Sequence, residues 1–552
     1  MDTFTERRLK LLRQHLRTLP KQPAVVRSPC DAQASTDTSK VISASEAAQL
    51  IPSNAVITVS GFVGSGHPEL LVNAVRERFE HCGQPCNLHL FNVAAVGDGK
   101  GRGLGKLAVK GLVTRYTFAW SGLSPEFHRL AKEGAITAWN LPLGVMAHLL
   151  RDVAARRPGP ITKIGLGTFV DPREQGGKLN SPSQADAVEV VTLGGQEYLW
   201  YKAPAKIDVA LLRGTTADLD GNVGFERESL LTDALNQAMA AHNSGGVVIV
   251  QVERLVASGT LPARTVHIPG AIVDKIVMAP AELHRQTITM PGHDASLTGE
   301  IRAPASHIQA MQIDERRIIA YRAMLEISKP HTIVNLGIGM PEGVARMVAT
   351  HGRAQIPHAL PAHLTTEAGM FGGFPAGSAR FGAAHNADCI VPCATMLDFY
   401  NGGGVDIACL GAAEVDQEGN VNVHSFPGRQ PGCGGFIDIS QAARKVIFAG
   451  TFTTGGLKVT VENGNLKIHQ EGRSRKFKRR VEEKTFAASS AKGRTILYVT
   501  ERAVFRLRDG KGIELTEVAP GVDLERDVLA YMPFKPLTAP SIKLMDERCF
   551  LP

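Results

Sequence analysis

The segment 332–342, with the sequence TIVNLGIGMPE, is the most informative about the fold because its pattern occurs twice in the chain. Residues 56–69, VITVSGFVGSGHPE, follow the same order: an apolar run, then G-x-G-x-P-E, then a helical stretch. A short apolar run bounded by glycine-rich turns is typical of a buried strand. We therefore predict the same strand–loop–helix unit in two places.

Two further pairs of segments repeat in the same order. Residues 207–211, IDVAL, match residues 405–409, VDIAC, and Gly-Asn-Val follows each of them, at 221–223 and at 419–421. The segments VVIV at 247–250 and KVIF at 445–448 form the third pair. Three repeats in one order indicate two similar halves. Apolar strands alternating with helical segments predict parallel sheets with helices on both faces.

The fold class is therefore α/β, with two tandem, similar, open α/β domains and largely parallel sheets. A chain of 552 residues is long enough for two or more domains. The first half carries extra sequence near residues 95–200. The predicted limits are an N-terminal extension at 1–40, a first domain at 41–300, a proline-containing connection near 280–312, a second domain at 313–535 and a tail at 536–552.

Composition excludes several classes of protein. No run of 18 apolar residues occurs, so no transmembrane helix is predicted. Eight cysteines in so long a chain do not form the pattern of a disulfide framework or of a metal site. The net charge of +8 fits an acidic small-molecule partner, or serves solubility alone. We interpret the basic run 473–480, RSRKFKRR, as a solvated face, with no nucleic acid bound.

Glu367 is the candidate catalytic residue. It lies in the segment 365–377, TTEAGMFGGFPAG, where a β-like lead-in meets a carboxylate and then a glycine-rich loop. Two more glycine-rich segments follow, at 398–406 and 432–436. Glycine allows positive φ angles and a close approach of a ligand to the main chain. A carboxylate directly before such a loop, with two more glycine-rich loops in the same domain, suggests a nucleophile surrounded by backbone N–H groups.

The segments 367–369 (EAG), 399–408 (FYNGGGVDIA) and 418–423 (EGNVNV) together resemble family I CoA-transferases. Within that family, the chain is most similar to the acetate and propionate CoA-transferases, which the segments 97–103, 139–142 (WNLP) and 165–172 also resemble. The likeness runs from about residue 40 to about residue 535. It implies that the active site lies in the cleft between the two domains.

The resemblance also implies roles for individual residues. Glu367 matches the residue that forms the glutamyl–CoA thioester, and Gly435 matches the glycine that donates to the oxyanion. Where some members have an asparagine as a second donor, this chain has Leu70, so backbone N–H groups nearby are the alternative. The predicted substrate- or CoA-binding residues are Gly64, Ser65, Gly66, Gly369, Gly403, Gly404 and Gly434.

The predicted function is the transfer of CoA from a short-chain acyl-CoA to a free acid of the acetate, propionate, butyrate or acetoacetate class. No metal and no cofactor is expected, since CoA is a substrate and a transient adduct. Three alternatives stay open: an acyl-CoA hydrolase using the same glutamate, a 3-oxoacid CoA-transferase, and a silent sensor of CoA esters. A homodimer or homotetramer is expected, in the cytoplasm or, alternatively, in the mitochondrial matrix, with no membrane partner.

Overall fold

Two large β-sheets, one in each half of the chain, carry the architecture. The computed structural model describes residues 39–183, 185–304, 310–351, 362–426 and 428–551. All but the last two residues of the predicted extension 1–40 lie outside this range, as does part of the predicted connection 280–312.

Within the described residues, the first-half sheet has seven strands in the order β14-β11-β8-β1-β2-β3-β4, and every pair of neighbours is parallel. These strands, in chain order, are β1 (Val56–Val59), β2 (Leu88–Ala94), β3 (Val113–Trp120), β4 (Thr137–Asn140), β8 (Val209–Arg213), β11 (Val247–Val252) and β14 (Lys275–Met278). The helices of this half are α1 (Ala44–Gln49), α2 (Glu69–Cys82), α3 (Pro125–Lys132), α4 (Leu143–Ala154) and α5 (Ala234–Asn243).

Alternate side chains of these strands enter two separate hydrophobic cores. Ile57 packs with Val72 of α2 in one core, while Phe91 packs with Leu150 of α4 and Ala238 of α5 in the other. Because successive side chains of a strand point to opposite faces, the sheet is covered by helices on both sides. The prediction of a helix-covered parallel sheet is confirmed for this half.

In the part of the second half that the structure describes, the large sheet has ten strands in the order β20-β17-β16-β15-β21-β24-β30-β31-β32-β33. Its central strands β24-β21-β15-β16 repeat the order β11-β8-β1-β2, and β30 continues the parallel part. The strands are β15 (Ile333–Leu336), β16 (His363–Thr366), β17 (Met370–Phe371), β20 (Cys389–Ile390), β21 (Ile407–Gly411), β24 (Lys445–Ala449), β30 (Thr495–Val499), β31 (Ala503–Arg508), β32 (Gly512–Val518) and β33 (Leu537–Leu544). The helices are α6 (Glu315–Met324), α7 (Glu342–His351), α8 (Cys393–Asn401) and α9 (Phe436–Ala442).

The remaining strands form small sheets at the edges of the two halves. They are β5 (Ile161–Thr162), β6 (Val188–Leu193), β7 (Gln196–Tyr201), β9 (Thr216–Asp218), β10 (Val223–Gly224), β12 (Arg254–Val256), β13 (Val266–Ile268), β18 (Phe374–Pro375), β19 (Ala384–His385), β22 (Glu414–Asp416), β23 (Val421–Asn422), β25 (Thr453–Thr454), β26 (Lys458–Glu462), β27 (Asn465–Gln470), β28 (Ser474–Arg475) and β29 (Phe477–Lys478).

The repeated aspartates explain why the two halves fold alike. Asp208 Oδ2 accepts the backbone N–H of Val56 at 2.8 Å, and Asp406 Oδ2 accepts that of Ile333 at 3.0 Å. Each carboxylate therefore binds the first residue of the neighbouring parallel strand, β1 or β15. A hydrogen bond to a charged acceptor is stronger than one between neutral groups. These two bonds therefore fix the register of β1 and of β15, the strands that lead into the two glycine-rich loops.

The extra sequence of the first half extends its sheet. Residues 95–200 supply β3, α3, β4 and α4, followed by the antiparallel sheet β5-β7-β6. Strands β3 and β4 have no counterpart in the central repeat of the second half. The insert therefore adds strands whose carboxyl ends reach the same edge as those of β1 and β2.

Two predicted surface segments are partly built into the second half. Residues 536–552, predicted as a tail, include β33, which pairs with β32, and the buried Cys549 and Phe550. In the basic run 473–480, Lys476 and Phe477 are buried while the other six residues are exposed. Phe477 begins β29, which pairs with β22, and the Lys476 ammonium group donates to Ala412 O, so these two residues are held inward by different contacts.

Candidate active site

Glu367 lies at the carboxyl end of strand β16. The two preceding hydroxyls fix that strand end: Thr366 Oγ1 donates to Gly382 O at 2.6 Å, and Thr365 Oγ1 donates to Val334 O at 3.1 Å. Thr365 Oγ1 also accepts from the Tyr400 hydroxyl at 2.7 Å. Ligands of open α/β sheets bind beyond the carboxyl ends of the strands, which is where this side chain lies.

The Glu367 carboxyl group is held out of water. The residue is 8% exposed, and its Oε2 atom has no hydrogen-bond partner among the described residues. Burial raises the pKa of Glu367 to about 7, against a smaller lowering by its own backbone and by the Asn335 side chain. The buried Asp438 carboxylate raises the pKa further through like-charge repulsion. At neutral pH the group therefore exists as carboxylate and as acid in comparable amounts.

A cavity of about 430 Å³ opens beside Glu367, between the two halves. Arg429 is the one cationic side chain among its described lining residues. The apolar lining comes from both halves and includes Phe62, Val63, Trp120, Leu143, Phe381 and Leu410. An apolar pocket with a few polar groups is the common form of a small-molecule site. The predicted cleft site is therefore present, with Glu367 in its wall.

Gly435 borders both the cavity and Glu367. It begins helix α9 with φ −80°, and a Cβ atom added to it would lie 3.2 Å from Glu367 Cγ. The Gly435 N–H has no hydrogen-bond acceptor among the described residues. Its neighbour Gly434, with φ +53°, also lines the cavity but donates its N–H to Ala119 O at 2.9 Å. The structure thus brings together Glu367, Gly434 and Gly435.

Three other predicted glycines serve the backbone rather than the cavity. Gly369 has φ +118° and donates to Thr366 O at 3.1 Å, and a Cβ atom there would clash with Val391 O. Gly403 lies in the turn after α8, and Gly404 packs against the Phe399 ring. These glycines are required by turn geometry and close packing, and none lines the 430 Å³ cavity.

The loop 64–66 does not border the cavity beside Glu367. Ser65 N donates to Phe62 O at 3.0 Å and Ser65 is 1% exposed, so this amide is already used within the protein. Gly64 packs against Ala379 of the second half and faces a second cavity of about 260 Å³. That cavity is also lined by His67, Glu69, Arg102, Lys106, Arg213 and Arg285. The structure therefore does not bring Gly64, Ser65 and Gly66 to the cavity of Glu367.

An ionised cluster behind the cavity joins the two halves. Asp398 accepts from Arg151 Nη1 at 2.7 Å and lies 2.9 Å from His148 Nε2. Asp438 is fully buried and accepts the Gly144 N–H at 3.1 Å, and burial raises the pKa of its carboxyl to about 6. These contacts carry charge close to Glu367 without lining the cavity.

No group of three or more His, Cys, Asp or Glu side chains arranged to hold a metal ion occurs in the described part of the chain. Within the same residues, no helix is both long enough and apolar enough to cross a membrane.

Comparison with known proteins decides the family. A family model described as coenzyme A transferase matches residues 41–279. Caffeate CoA-transferase of Acetobacterium woodii is 43% identical over 518 residues, which cover 93% of this chain and 97% of that protein. The chain belongs to the CoA-transferase family. Acetate CoA-transferase YdiF of Escherichia coli strain K12 is similar to this CoA-transferase too, with 41% identity over 517 residues, 93% of this chain and 95% of that protein.

A solved structure agrees with this assignment. The crystal structure of acyl-CoA transferase YdiF from Escherichia coli O157:H7, in a thioester complex with CoA, matches the present CoA-transferase with a TM-score of 0.86. The two chains are 39% identical, and the match covers 93% of this chain and 96% of that one. The resemblance inferred from the sequence motifs and the α/β fold class are both confirmed.

The sequence did not predict the residues of this CoA-transferase that act on the Glu367 carboxyl group, or those that line the cavity from the first half. Asp438 and Asn335 act on the Glu367 carboxyl group, while Trp120 and Leu143 line the cavity from the first-half insert. Asp438 lies three residues after Gly435, on the same helix α9, and this spacing is the one signal that the sequence offered. The apolar lining of the cavity could not be predicted, since Trp120 ends a strand whose sequence is typical of any buried strand.

Proposed function

We propose that this CoA-transferase moves CoA between a short-chain acyl-CoA and a free carboxylic acid, through a thioester between Glu367 and CoA. The observation that carries the proposal is the Glu367 carboxyl group, 8% exposed in the wall of the cavity with one oxygen unpartnered among the described residues. Its pKa of about 7 supplies a carboxylate that is poorly solvated and therefore more nucleophilic than one in water.

The first half-reaction has two steps. A Glu367 carboxylate oxygen attacks the acyl carbonyl carbon of the acyl-CoA. The carbon–sulfur bond breaks, CoA leaves as the thiolate, and a mixed anhydride of Glu367 and the acid remains. The thiolate then attacks the Glu367 carbonyl carbon and forms the glutamyl thioester. The acid leaves with the bridging oxygen, which came from Glu367. A carboxylate suits this role because the anhydride and the thioester both retain the acyl-transfer energy, whereas a serine ester would lose it.

The second half-reaction runs the same steps in reverse with another acid. Its carboxylate attacks the glutamyl thioester, CoA leaves, and CoA then attacks the acyl carbon of the new anhydride. The new acyl-CoA departs, and Glu367 is restored with one oxygen from the acceptor acid. The two substrates never need to be bound together, which predicts ping-pong kinetics, and the sequence consumes no cofactor.

Each step passes through a tetrahedral intermediate whose oxygen carries negative charge. The Gly435 N–H is the proposed donor, because it has no acceptor among the described residues and its residue contacts Glu367. One donor aimed at such an oxygen contributes roughly 3–4 kcal/mol to transition-state stabilisation. The roles predicted for the seven glycine and serine positions of the binding set stay predictions, and Gly434 is the member that adjoins this donor.

The apolar lining of the cavity favours an acyl group that carries no additional charged group. Apolar side chains such as Phe62, Leu143 and Phe381 surround the space beside Glu367, and Arg429 is the described cation at its wall. We propose monocarboxylic acids of the acetate, propionate and butyrate class as substrates. The relatives named for acetate and for caffeate define the two ends of the acceptor panel to be tested.

The proposal is tested by intact-mass measurement after incubation with acetyl-CoA and an acid quench. The wild type should gain the mass of CoA less one water, on the peptide that contains Glu367. Glu367→Gln should gain nothing and lose turnover by at least ~10³-fold. Glu342→Gln is the matched control, since that carboxylate accepts Gly339 N at 2.9 Å outside the cavity. An adduct in Glu367→Gln, or unchanged turnover in that variant, overturns the proposal.

The alternatives give other outcomes in the same assay. Release of free CoA without an acceptor acid, at a rate near that of transfer, identifies a hydrolase. Preference for acetoacetate over acetate and butyrate identifies a 3-oxoacid CoA-transferase, while binding of acyl-CoA with no exchange identifies a sensor. The predicted homodimer or homotetramer is tested separately by light scattering, and the predicted cytoplasmic or mitochondrial location by imaging of a tagged chain.

A further inference from the structure

The loop that precedes Gly435 belongs to the second half, yet the first half holds it. Ser121 N donates to Pro431 O at 2.8 Å, and Gly434 N donates to Ala119 O at 2.9 Å. Leu143 N donates to Gly434 O at 2.9 Å. All of these first-half residues belong to the insert 95–200, at the end of β3 and at the start of α4. The position of this loop is therefore set from the opposite half of the chain.

Asn140 is the side chain at the centre of this contact. It is fully buried, and its amide nitrogen donates to Phe118 O at 3.0 Å and to Ala119 O at 2.7 Å. Its amide oxygen accepts the Cys433 N–H at 2.9 Å. One side chain thus ties the end of β3 to a residue that lies 293 positions away in the sequence and two positions before Gly435.

The loop at Gly432 packs tightly against Asn140. Gly432 has φ +89°, and a Cβ atom there would lie 2.8 Å from Asn140 Nδ2 and would clash with Ala119 O. The loop therefore lies directly against the asparagine, and a glycine is needed for it to do so. Asn140 itself is not among the described residues that line the cavity, so it can act on the site through the loop alone.

We propose that Asn140 is a positioning residue, which sets the place of the Gly435 N–H relative to the Glu367 carbonyl carbon. The inference rests on the proposed function, in which Gly435 donates to the oxyanion. Asn140 is the second residue of the WNLP segment, so the inference assigns a role to that segment. Positioning matters here because an oxyanion donor works over a narrow range of 2.7–3.1 Å. A misplacement of about 1 Å can cost ~100-fold in rate.

Asn140→Ala tests the inference by removing three hydrogen bonds at once. We expect kcat to fall ~10- to 100-fold, with the KM for acyl-CoA within ~3-fold, because the loop moves while the apolar cavity remains. The rate of adduct formation on Glu367 should fall by the same factor. Asn222→Ala is the matched control, since Asn222 Oδ1 also accepts a backbone N–H, from Gly270 at 2.9 Å, far along the chain from the loop. That variant should keep kcat within ~2-fold of the wild type.

Asn140→Asp separates positioning from mere stability. When protonated, aspartic acid has the shape of asparagine, accepts the Cys433 N–H and donates its O–H to the Ala119 carbonyl. When ionised, it places negative charge against the Phe118 and Ala119 carbonyls. We therefore expect the kcat of this variant, relative to the wild type at each pH, to rise as the pH falls. Circular dichroism and Tm establish that the protein is folded at every pH used.

The outcomes divide cleanly. Reduced kcat in Asn140→Ala with low-pH recovery in Asn140→Asp supports the inference. It is overturned if both folded variants keep wild-type kcat, if only KM changes, if the Asn140→Asp ratio is independent of pH, or if neither variant folds. Absence of an adduct in the wild type would instead contradict the proposed function, whereas a normal wild-type adduct with normal rates in both variants contradicts this inference alone.

Discussion

Glu367 directly follows strand β16 and Gly435 directly precedes helix α9, and the two lie so close that a Cβ atom at position 435 would lie 3.2 Å from Glu367 Cγ. The contact joins a buried carboxyl group to a backbone N–H that has no acceptor among the described residues. A nucleophile and an oxyanion donor need this proximity, since the negative charge develops on the oxygen of the carbonyl group under attack, which in the later steps is the carbonyl group of Glu367 itself.

Gly435→Ala should lower kcat while leaving the fold intact. The φ of −80° is allowed for alanine, so the backbone is not strained, but the added methyl group presses on Glu367 and shifts it by a few tenths of an ångström. We expect about a tenfold loss of kcat. Gly402→Ala is the control, with φ −74° and a similar 3.2 Å contact, to Asp398 O, outside the cavity. Equal kcat in both variants would remove Gly435 from the site.

The rate of adduct formation should depend on pH through Glu367. The attacking group is the carboxylate, and burial raises the pKa of Glu367 to about 7. Below that pH the acid form dominates, so kcat/KM for acyl-CoA should rise about tenfold per pH unit and level off above pH ~7.5. Stopped-flow or quench measurements from pH 5 to 9 check this. A profile that is flat between pH 5 and 8 would show that Glu367 is ionised throughout and is not the titrating nucleophile.

Asp438→Asn should move that profile to lower pH. The Asp438 carboxylate raises the pKa of Glu367 by like-charge repulsion, and asparagine removes the charge while its oxygen can still accept the Gly144 N–H. The midpoint of kcat/KM against pH should therefore fall. A midpoint that stays in place, in a variant with unchanged Tm, would mean that burial alone sets the pKa of Glu367.

Glu367→Gln should stabilise the protein at high pH. The folded state raises the pKa from 4.5 to about 7, so it binds a proton that the unfolded chain releases between those values. Wild-type stability therefore declines as the pH rises from ~4.5 to ~7, by roughly 3 kcal/mol at 1.36 kcal/mol per pH unit. Glutamine does not titrate. Urea unfolding should show a more stable variant at pH 8 and a difference near zero at pH 5; a difference independent of pH would contradict the burial of an ionisable group.

The repeated aspartates should contribute equally to stability. Asp208→Ala and Asp406→Ala each remove a charged acceptor from the first N–H of β1 or β15, which is worth about 1.5–3 kcal/mol. Asp208→Asn and Asp406→Asn should lose less, because the amide oxygen still accepts. Unfolding in urea checks all four variants. Losses below ~0.5 kcal/mol in both alanine variants would show that the repeat does not depend on these bonds.

The repeats predicted the tandem halves because strand–loop–helix units leave a local pattern in the sequence. Glu367 was singled out as a carboxylate between a strand and a glycine-rich loop, and it lies in the cavity wall; its catalytic role stays a prediction. Glycines were harder to assign: Gly64 packs on Ala379 and Gly404 packs on Phe399, while Gly435 lies in the cavity wall. A glycine needed for close packing and one needed for close approach of a ligand look the same in a sequence.

Apart from the three-residue spacing of Asp438 from Gly435, the supporting residues could not be predicted from the sequence. Asn140 meets Cys433, and Gly144 meets Asp438, across 293 and 294 positions of chain. Such pairs depend on how the two halves dock, which local pattern does not encode. Their single-residue environments read as ordinary core, since a buried amide or carboxyl group is satisfied only by partners that the fold brings to it.

The most direct test of covalent catalysis by Glu367 follows an oxygen atom. Turnover with acetyl-CoA and ¹⁸O-labelled acetate should place ¹⁸O in the carboxyl group of Glu367, because each acceptor acid leaves one oxygen there when the thioester is resolved. Peptide mass spectrometry of the recovered enzyme should find the label on Glu367 and not on Glu342. If the peptide of Glu367 remains unlabelled after many turnovers, its carboxyl group never forms a bond to the substrate, and Glu367 is not the nucleophile.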